Sequence, residues 1–296
     1  IYDERKEELA EIIAREMGKP VRQGRGEAWF VGEIYKFYAE HGPGHLVDED
    51  MHPLSGGQAI VRSAPLGVLL GIMPWNYPYY QVARFAGPNL LLGNTILLKH
   101  ASNCPESALA QEQIFRDAGL PEGAYINLFV DSKDVDGIIA DPRVQGVSLT
   151  GSEKAGAAVA ASAGRSLKKV VLELGGSDPF IVLDDVNLES TAAAAASGRM
   201  SNAGQACTAA KRFIVVDSVY DRFVEAFAAK LQTYVAGDPL DPETNLGPLS
   251  STGAVTELLE QVEDAVAKGA TLVTGGRRIG EVGAFMEPTL LAHVTP

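Results

Sequence analysis

Cys207 is the residue in this chain whose type and setting most suggest chemistry. It lies in the segment 201–208, and Glu173 lies 207 − 173 = 34 residues upstream. A cysteine thiolate is a strong nucleophile, and a carboxylate at an apolar strand end can act as a general base if burial raises its pKa. The side-chain amide of Asn76 can donate to an oxyanion. A lone cysteine flanked by alanines is more often a small buried apolar residue, but the three residue types together favour nucleophilic attack on a carbonyl carbon.

A second set of residues has the types that bind a dinucleotide. Lys99 follows the apolar run 95–98 and is expected at the carboxyl end of a strand, where its ammonium can donate to ribose hydroxyls. Gly151 and Ser152 follow the run 144–149 and open a helix whose free backbone N–H groups would face a pyrophosphate. Ser152 can instead be only the helix N-cap, and both roles can hold together. The sequence contains no Gly-x-Gly-x-x-Gly fingerprint and no P-loop.

Strand and helix patterns alternate along the chain. The apolar run 67–73, ended by Pro74, is typical of a strand buried on both faces of a parallel sheet. We therefore predict an α/β fold, in which a doubly wound parallel-sheet dinucleotide-binding domain precedes a second α/β catalytic domain. The predicted strands are 67–73, 95–98, 125–130, 144–149, 169–174, 179–183, 213–217 and 271–274. The predicted helices are 3–17, 25–40, 78–91, 105–118, 134–140, 152–163, 188–203, 219–234 and 252–268.

The domain boundary is expected near residue 172, because Gly175 and Gly176 interrupt the pattern there. Residues 46–63 differ from their surroundings, since Gly56 and Gly57 separate two short polar alternating segments that predict a hairpin. The expected domains are 1–46 with 64–171 for dinucleotide binding, 47–63 for the hairpin, and 172–296 for catalysis.

Composition narrows the class of protein. The 296 residues can form about two domains. A formal charge of −13 argues against non-specific nucleic-acid binding, which needs a basic face. No apolar run approaches the roughly 18 residues of a membrane span, and the N-terminus is charged from Asp3, so we expect a cytoplasmic protein. Two cysteines and five scattered histidines predict neither a disulfide framework nor a metal site.

The order of these motifs resembles the aldehyde dehydrogenase superfamily over the whole chain. The resemblance rests on the segments 74–76, 99, 151–152, 173–176 and 204–207, and the segments 73–76, 98–101, 171–180 and 209–213 look most like bacterial succinate-semialdehyde dehydrogenases. It implies that Cys207 attacks an aldehyde and that Asn76 and the Cys207 backbone N–H bind the oxyanion. Hydride then leaves to a nicotinamide, and Glu173 activates the water that hydrolyses the thioester.

The same resemblance implies the binding residues. Lys99 would hold the adenosine ribose, and the residue three further on, Ser102, would donate to a 2′-phosphate where a glutamate would repel it, so NADP is expected in preference to NAD. The implied substrate, succinate semialdehyde, carries a carboxylate, so the tunnel that admits it should present an arginine. Arg84 is the first candidate and Arg199 the second, although either can form a salt bridge instead. The expected cofactor-binding residues are Met73, Pro74, Trp75, Asn76, Lys99, His100, Ala101, Ser102, Gly151, Ser152 and Leu174, and the expected substrate-binding residues are Arg84, Tyr77 and Tyr80.

Some expectations concern the protein as a whole. The resemblance implies a homo-oligomer, dimer or tetramer, with the hairpin 47–63 as its oligomerisation arm, and no regulatory disulfide beside Cys207. Relatives extend beyond both ends of this sequence, so we expect it to be an internal segment whose catalytic domain is incomplete. The alternatives are a dehydrogenase for another small aldehyde, such as glutarate semialdehyde or an uncharged aliphatic aldehyde, and a non-catalytic nucleotide-binding module.

Overall fold

The computed structural model describes residues 1–54 and 56–295. The chain divides into two compact units. The first comprises Ile1–Ile12 and Arg25–Gly175, and the second comprises Ile13–Gly24 and Gly176–Pro296.

Helices and strands alternate through most of the described chain, close to the predicted pattern. The helices are α1 (Lys6–Met17), α2 (Val21–His41), α3 (Tyr80–Leu91), α4 (Pro105–Asp117), α5 (Val135–Ala140), α6 (Glu153–Arg165), α7 (Leu188–Met200), α8 (Tyr220–Leu231) and α9 (Thr252–Ala267). The strands are β1 (Glu49–Met51), β2 (Ala59–Val61), β3 (Val68–Met73), β4 (Thr95–His100), β5 (Tyr125–Asn127), β6 (Val144–Thr150), β7 (Lys169–Glu173), β8 (Pro179–Val182), β9 (Arg212–Val215), β10 (Thr271–Thr274) and β11 (Leu290–Ala292).

A five-stranded sheet forms the centre of the first unit. Its order is β5-β4-β3-β6-β7, and all neighbouring strands are parallel. Numbered by appearance within this sheet, the order is 3-2-1-4-5, the arrangement of doubly wound nucleotide-binding folds. The predicted fold class is therefore confirmed. In such a sheet the chain reverses direction between the first and fourth strands, here β3 and β6, and ligands bind outside the carboxyl ends at that point.

The core of the first unit lies on both faces of this sheet. Successive side chains of a strand point to opposite faces, so Leu69 packs with α3 while Leu70 packs with α5 and α6. Gly71 allows α3 to approach closely, because a Cβ there would lie 2.6 Å from Cε1 of Phe85. This packing places the start of α3 near the carboxyl ends of β3 and β6.

The hairpin predicted at 46–63 is present in the described residues. Strands β1 and β2 pair antiparallel, with Asp50 opposite Ile60, and every residue of both strands is exposed. Arg62 Nε donates to Asp48 Oδ1 at 2.9 Å and ties the base of the ribbon together. The part that this hairpin plays in assembly stays a prediction.

The second unit is built around α7 and α8. These helices pack with the parallel pair β8 and β9 around Phe223, Phe227 and Leu231, while β10 and β11 form an antiparallel pair. Residues 13–24, which we expected in the dinucleotide-binding domain, belong to this unit instead. The reason is local: the N–H of Val21 donates to the carbonyl of Pro239 at 2.8 Å. The functional roles assigned to the two domains stay predictions.

Candidate functional site

The segment before Cys207 departs from the predicted helix 188–203. Helix α7 ends at Met200, because Asn202 and Ala203 have φ angles of 52° and 54° and Gly204 has 78°. Left-handed backbone at a non-glycine residue such as Ala203 costs roughly 1–2 kcal/mol, so the surrounding contacts must hold it. This turn gives Cys207 a loop position directly after a helix.

Hydrogen bonds from Gln23 and Gln205 hold this turn in place. The N–H of Asn202 donates to Gln23 Oε1 at 2.8 Å. Gln205 Nε2 donates to the carbonyl of Asn202 at 3.1 Å, and its Oε1 accepts from the N–H of Ser250 at 2.8 Å. The side chain of Asn202 is 1% exposed. The segment that leads to Cys207 is therefore ordered by contacts within its own unit.

Cys207 is exposed and Cys104 is buried, and neither cysteine forms a disulfide. Because its thiol is exposed on an ordered loop, Cys207 is not the small buried apolar residue that was the alternative interpretation. Lys211 was not predicted as a site residue. Its Nζ donates to the carbonyl of Cys207 at 3.0 Å and to that of Ala209 at 2.8 Å. These bonds close the turn on the far side of the cysteine.

The residues predicted from the first unit lie at one edge of its sheet. Pro74, Trp75 and Asn76 follow the end of β3, and Lys99 precedes the last residue of β4. Glu173 ends β7, beside Thr150 at the end of β6. The structure thus brings these carboxyl ends together. The side chain of Met73, however, is 3% exposed and packs in the core.

The ring of His100 is buried and hydrogen-bonded to the backbone, and the cofactor role expected for this residue stays a prediction. Its Nδ1 accepts from the N–H of Ala101 at 2.8 Å, so Nε2 carries the proton and donates to the carbonyl of Pro78 at 2.9 Å. Burial lowers the pKa of His100 to about 4, which keeps the ring neutral. The ring fastens the end of β4 to the segment that follows Asn76.

Ser102 lies at a small cavity beside the ends of β4 and β5. The cavity has a volume of about 180 Å³, and Ala101, Phe129 and Asp131 also line it. The carboxylate of Asp131 would repel a phosphate, but Lys133 Nζ lies 3.4 Å from its Oδ2. Ser102 is exposed, so its hydroxyl can reach a ligand there.

Ser152 is the N-cap of α6, since its hydroxyl accepts from the N–H of Ala155 at 3.3 Å. The N–H of Gly151 is not free as expected, because it donates to the carbonyl of Glu173 at 2.9 Å. Leu174, also an expected cofactor residue, packs against α6: a Cβ on Gly156 would lie 2.6 Å from its Cδ2. The helix N-terminus remains a place for a pyrophosphate, with Ser152 already engaged in capping.

Glu173 is not buried as we expected. Its side chain is 53% exposed, and Oε2 lies 3.5 Å from Nη2 of Arg84. The same Arg84 nitrogen donates to Thr150 Oγ1 at 3.3 Å. The expectation of burial failed because β7 is an edge strand of the sheet and four of its five residues are exposed, Glu173 among them.

Arg84 lines a larger cavity of about 430 Å³ in the first unit, together with Glu173 and Thr150. The remaining lining is largely apolar and includes Leu69, Met73, Phe85 and Val171. The guanidinium carbon of Arg84 lies 5.9 Å from the ring centroid of Tyr80, and Tyr80 meets Tyr77 edge to face at 6.1 Å. The three expected substrate residues are therefore neighbours. Arg84 and Glu173 make their end of the cavity charged, and Lys169 at the start of β7 also lines the cavity.

Glu27 is a supporting residue that sequence analysis missed. Its Oε1 accepts from the N–H groups of Tyr79 and Tyr80 at 2.9 and 3.0 Å, although the residue is 5% exposed. The carboxylate caps the first turn of α3, the helix that carries Arg84. No local pattern indicates this contact, because 52 residues separate Glu27 from Tyr79.

Arg199, the second arginine candidate, belongs to the other unit. Burial lowers the pKa of its guanidinium, which packs against Gly204: a Cβ there would lie 3.1 Å from Nη2. Within the residues that the structure describes, Arg199 forms no salt bridge, which was the alternative to substrate binding considered for it. Across those same residues no group of histidine, cysteine and acidic side chains is arranged for a metal ion, and no helix is long and apolar enough to cross a membrane.

An exposed cysteine on a strained loop and a doubly wound sheet are typical of a dinucleotide-dependent enzyme with a thiol nucleophile. The chain belongs to the aldehyde dehydrogenase family, which matches it over residues 1–296. The resemblance predicted from the motifs is thus confirmed.

Named relatives come from several bacteria. The chain is 58% identical over 293 residues to an NADP(+) succinate-semialdehyde dehydrogenase of Deinococcus radiodurans, covering 99% of this chain and 61% of the relative. It is 47% identical to an NAD(P)+ succinate semialdehyde dehydrogenase of Escherichia coli, covering 99% and 63%. The crystal structure of succinic semialdehyde dehydrogenase from Streptococcus pyogenes with NADP+ has a TM-score of 0.95 and 42% identity, covering 99% and 68%. The chain spans about three-fifths of the length of these curated relatives.

Proposed function

We propose that the protein containing this chain oxidises succinate semialdehyde to succinate with NADP, and accepts NAD less well. The observation that carries the proposal is the exposed thiol of Cys207 on a turn held on both sides. The names of the relatives support the substrate and cofactor. The charged end of the Arg84 cavity supports a substrate that has a carboxylate.

The residues of the first unit fit a dinucleotide. Lys99 offers an ammonium at the carboxyl edge of the sheet and Ser102 a hydroxyl in the adjoining cavity, donors suited to ribose and a 2′-phosphate. Ser152 and the start of α6 would face the pyrophosphate. NADP, when bound, accepts a hydride from the substrate carbon.

The chain's own residues carry the other steps. Cys207 attacks the aldehyde carbon as thiolate, and the Asn76 amide with the Cys207 N–H stabilises the oxyanion. Glu173 then accepts a proton from water, whose oxygen attacks the thioester and releases Cys207. Arg84 binds the carboxylate at the far end of the substrate, with Tyr77 and Tyr80 beside it.

Two further expectations stand as proposals. The hairpin that contains β1 and β2 would join copies of the chain into a dimer or tetramer. A cytoplasmic location stays a prediction.

The test is an assay of the protein as its gene encodes it, with NADP and succinate semialdehyde. We expect Cys207→Ala to abolish NADPH formation while NADP affinity, measured by fluorescence titration, is nearly unchanged, because the thiol contacts substrate and not cofactor. Cys104→Ala is the matched control and should retain activity. Cofactor binding without turnover in the wild type would favour a non-catalytic module. Faster turnover of glutarate semialdehyde than of succinate semialdehyde would make glutarate semialdehyde the substrate instead.

A further inference from the structure

Arg84 lies between two acceptors that the sheet places side by side. Thr150 and Glu173 are register partners at the ends of β6 and β7, so their side chains share one face of the sheet. Nη2 of Arg84 lies 3.3 Å from Thr150 Oγ1 and 3.5 Å from Glu173 Oε2. One guanidinium nitrogen thus contacts both the carboxylate assigned as the base and a neutral hydroxyl that orients it.

The ion pair between Arg84 and Glu173 is weak enough to be exchanged. The two side chains are 32% and 53% exposed, and their N···O distance of 3.5 Å is long for a charge-assisted hydrogen bond. Exposed ion pairs of this kind favour the paired over the unpaired arrangement of the two side chains by at most about fivefold. A second carboxylate that binds the guanidinium through both of its oxygens competes effectively, because bidentate pairs are the stronger ones.

We infer that Arg84 and Glu173 form a substrate-operated latch. This inference rests on the proposed function. Without substrate, Arg84 holds the Glu173 carboxylate; the distal carboxylate of a semialdehyde takes the guanidinium and frees Glu173. The released carboxylate accepts a proton from water as the water oxygen bonds to the thioester carbon, the C–S bond breaks, and Cys207 leaves as thiolate.

The latch makes the second half of the reaction selective for charged substrates. An uncharged aldehyde of the same chain length can acylate Cys207, but it brings no carboxylate to Arg84, so Glu173 stays held and the thioester hydrolyses slowly. A ligand shifts such an equilibrium only by its differential affinity for the two states, which here is its affinity for the freed guanidinium. Arg84 is therefore a positioning residue for the base as well as a substrate contact.

The experiment uses stopped-flow NADPH absorbance on the protein as its gene encodes it, with succinate semialdehyde and with butanal. The burst reports acylation and the following steady rate reports hydrolysis. For Arg84→Met we expect KM for succinate semialdehyde to rise tenfold or more, on the order of one lost charged contact. We expect the steady rate with butanal to rise about two- to fivefold, because the base is released.

A rate gain with one substrate and a loss with the other is not what general damage to the fold produces. The control is Arg165→Met, which removes an exposed arginine of α6 paired with Asp136 and should change neither value. A butanal steady rate that is unchanged or lower in Arg84→Met overturns the latch, even if succinate semialdehyde is still oxidised. No NADPH formation with either aldehyde in the wild type overturns the proposed function, and the latch with it. Steady oxidation of butanal without a burst overturns the latch alone, because hydrolysis of the thioester would then not be slow.

Discussion

We propose that Ser102 and Lys99 set the choice of cofactor, because both lie at the carboxyl edge of the sheet, where the adenosine ribose is expected to bind. Ser102→Glu would put a negative charge within a few ångströms of a 2′-phosphate, at a cost on the order of 1–3 kcal/mol. NADP should then bind about ten- to a hundredfold more weakly, while NAD is spared or improved. The check is the NADP/NAD ratio of kcat/KM in wild type and variant. If that ratio is unchanged, Ser102 does not face the ribose and the preference for NADP has no basis in it.

His100 should make stability depend on pH. Its pKa is about 4 in the folded chain against 6.5 for an ordinary histidine, so between these values the unfolded chain binds more protons. The stabilisation is complete above pH 6.5 and is lost as the pH falls toward 4. Between pH 7 and pH 5 the wild type should lose about 2 kcal/mol of unfolding free energy more than His100→Gln, whose amide does not titrate.

The measurement is urea unfolding of both proteins at the two pH values. His45→Gln, at an exposed histidine, is the matched control and should follow the wild type. Equal losses in wild type and His100→Gln would show that the ring is not held neutral by burial.

At the scale of elements, the cap on α3 should matter both to stability and to substrate affinity. Glu27→Ala leaves the N–H groups of Tyr79 and Tyr80 without this acceptor, and should cost about 1–3 kcal/mol of unfolding free energy. Because α3 carries Arg84, KM for succinate semialdehyde should rise more than kcat falls. Denaturant unfolding and steady-state kinetics check both, with Glu33→Ala, at an exposed glutamate of α2, as control. A variant as stable as the control would mean that α3 needs no cap from α2.

The elements themselves were largely predictable, because apolar runs and glycine or proline stops are local. Strand β10 was predicted to the residue, and β3 differs by one. The end of α7 was not predictable: Asn202 and Ala203 adopt left-handed backbone only because Gln23 and Gln205 hold them. Strand β5 was predicted three residues too long, since nothing in its sequence marks where pairing with β4 stops.

The site was predictable in its residue types but not in its contacts. The motifs located Cys207, Glu173 and Arg84 in the sequence. The pairing of Glu173 with Arg84, however, depends on where α3, which packs over β3 and β4, places the Arg84 side chain. The cofactor role of His100 stays a prediction, but the contacts of its ring were not predicted. Its ring points to Pro78.

For the whole molecule, the hairpin of β1 and β2 is the feature that we propose to join copies of the chain. Met51, Ile60 and Val61 are 47%, 50% and 52% exposed on a two-stranded ribbon, and an isolated ribbon of this kind is only marginally stable in water. We expect Ile60→Lys to reduce the oligomeric mass measured by light scattering. A lysine at position 60 lies opposite Asp50, so the two strands can stay paired, while its charge disfavours burial of the ribbon in an interface between copies. Gln58→Lys is the control, and an unchanged mass in Ile60→Lys would remove the hairpin from the interface.

The assignment of Cys207 as the nucleophile is tested most directly by the mass of the Glu173→Gln protein after mixing with NADP and succinate semialdehyde. Acylation of Cys207 precedes the step that needs the base, so this variant should give one burst of NADPH and then stall. Intact-mass and peptide analysis should find one acyl group per chain, on the peptide that contains Cys207. An NADPH burst with no adduct, or with the adduct on Cys104, would contradict the assignment of Cys207 as the nucleophile.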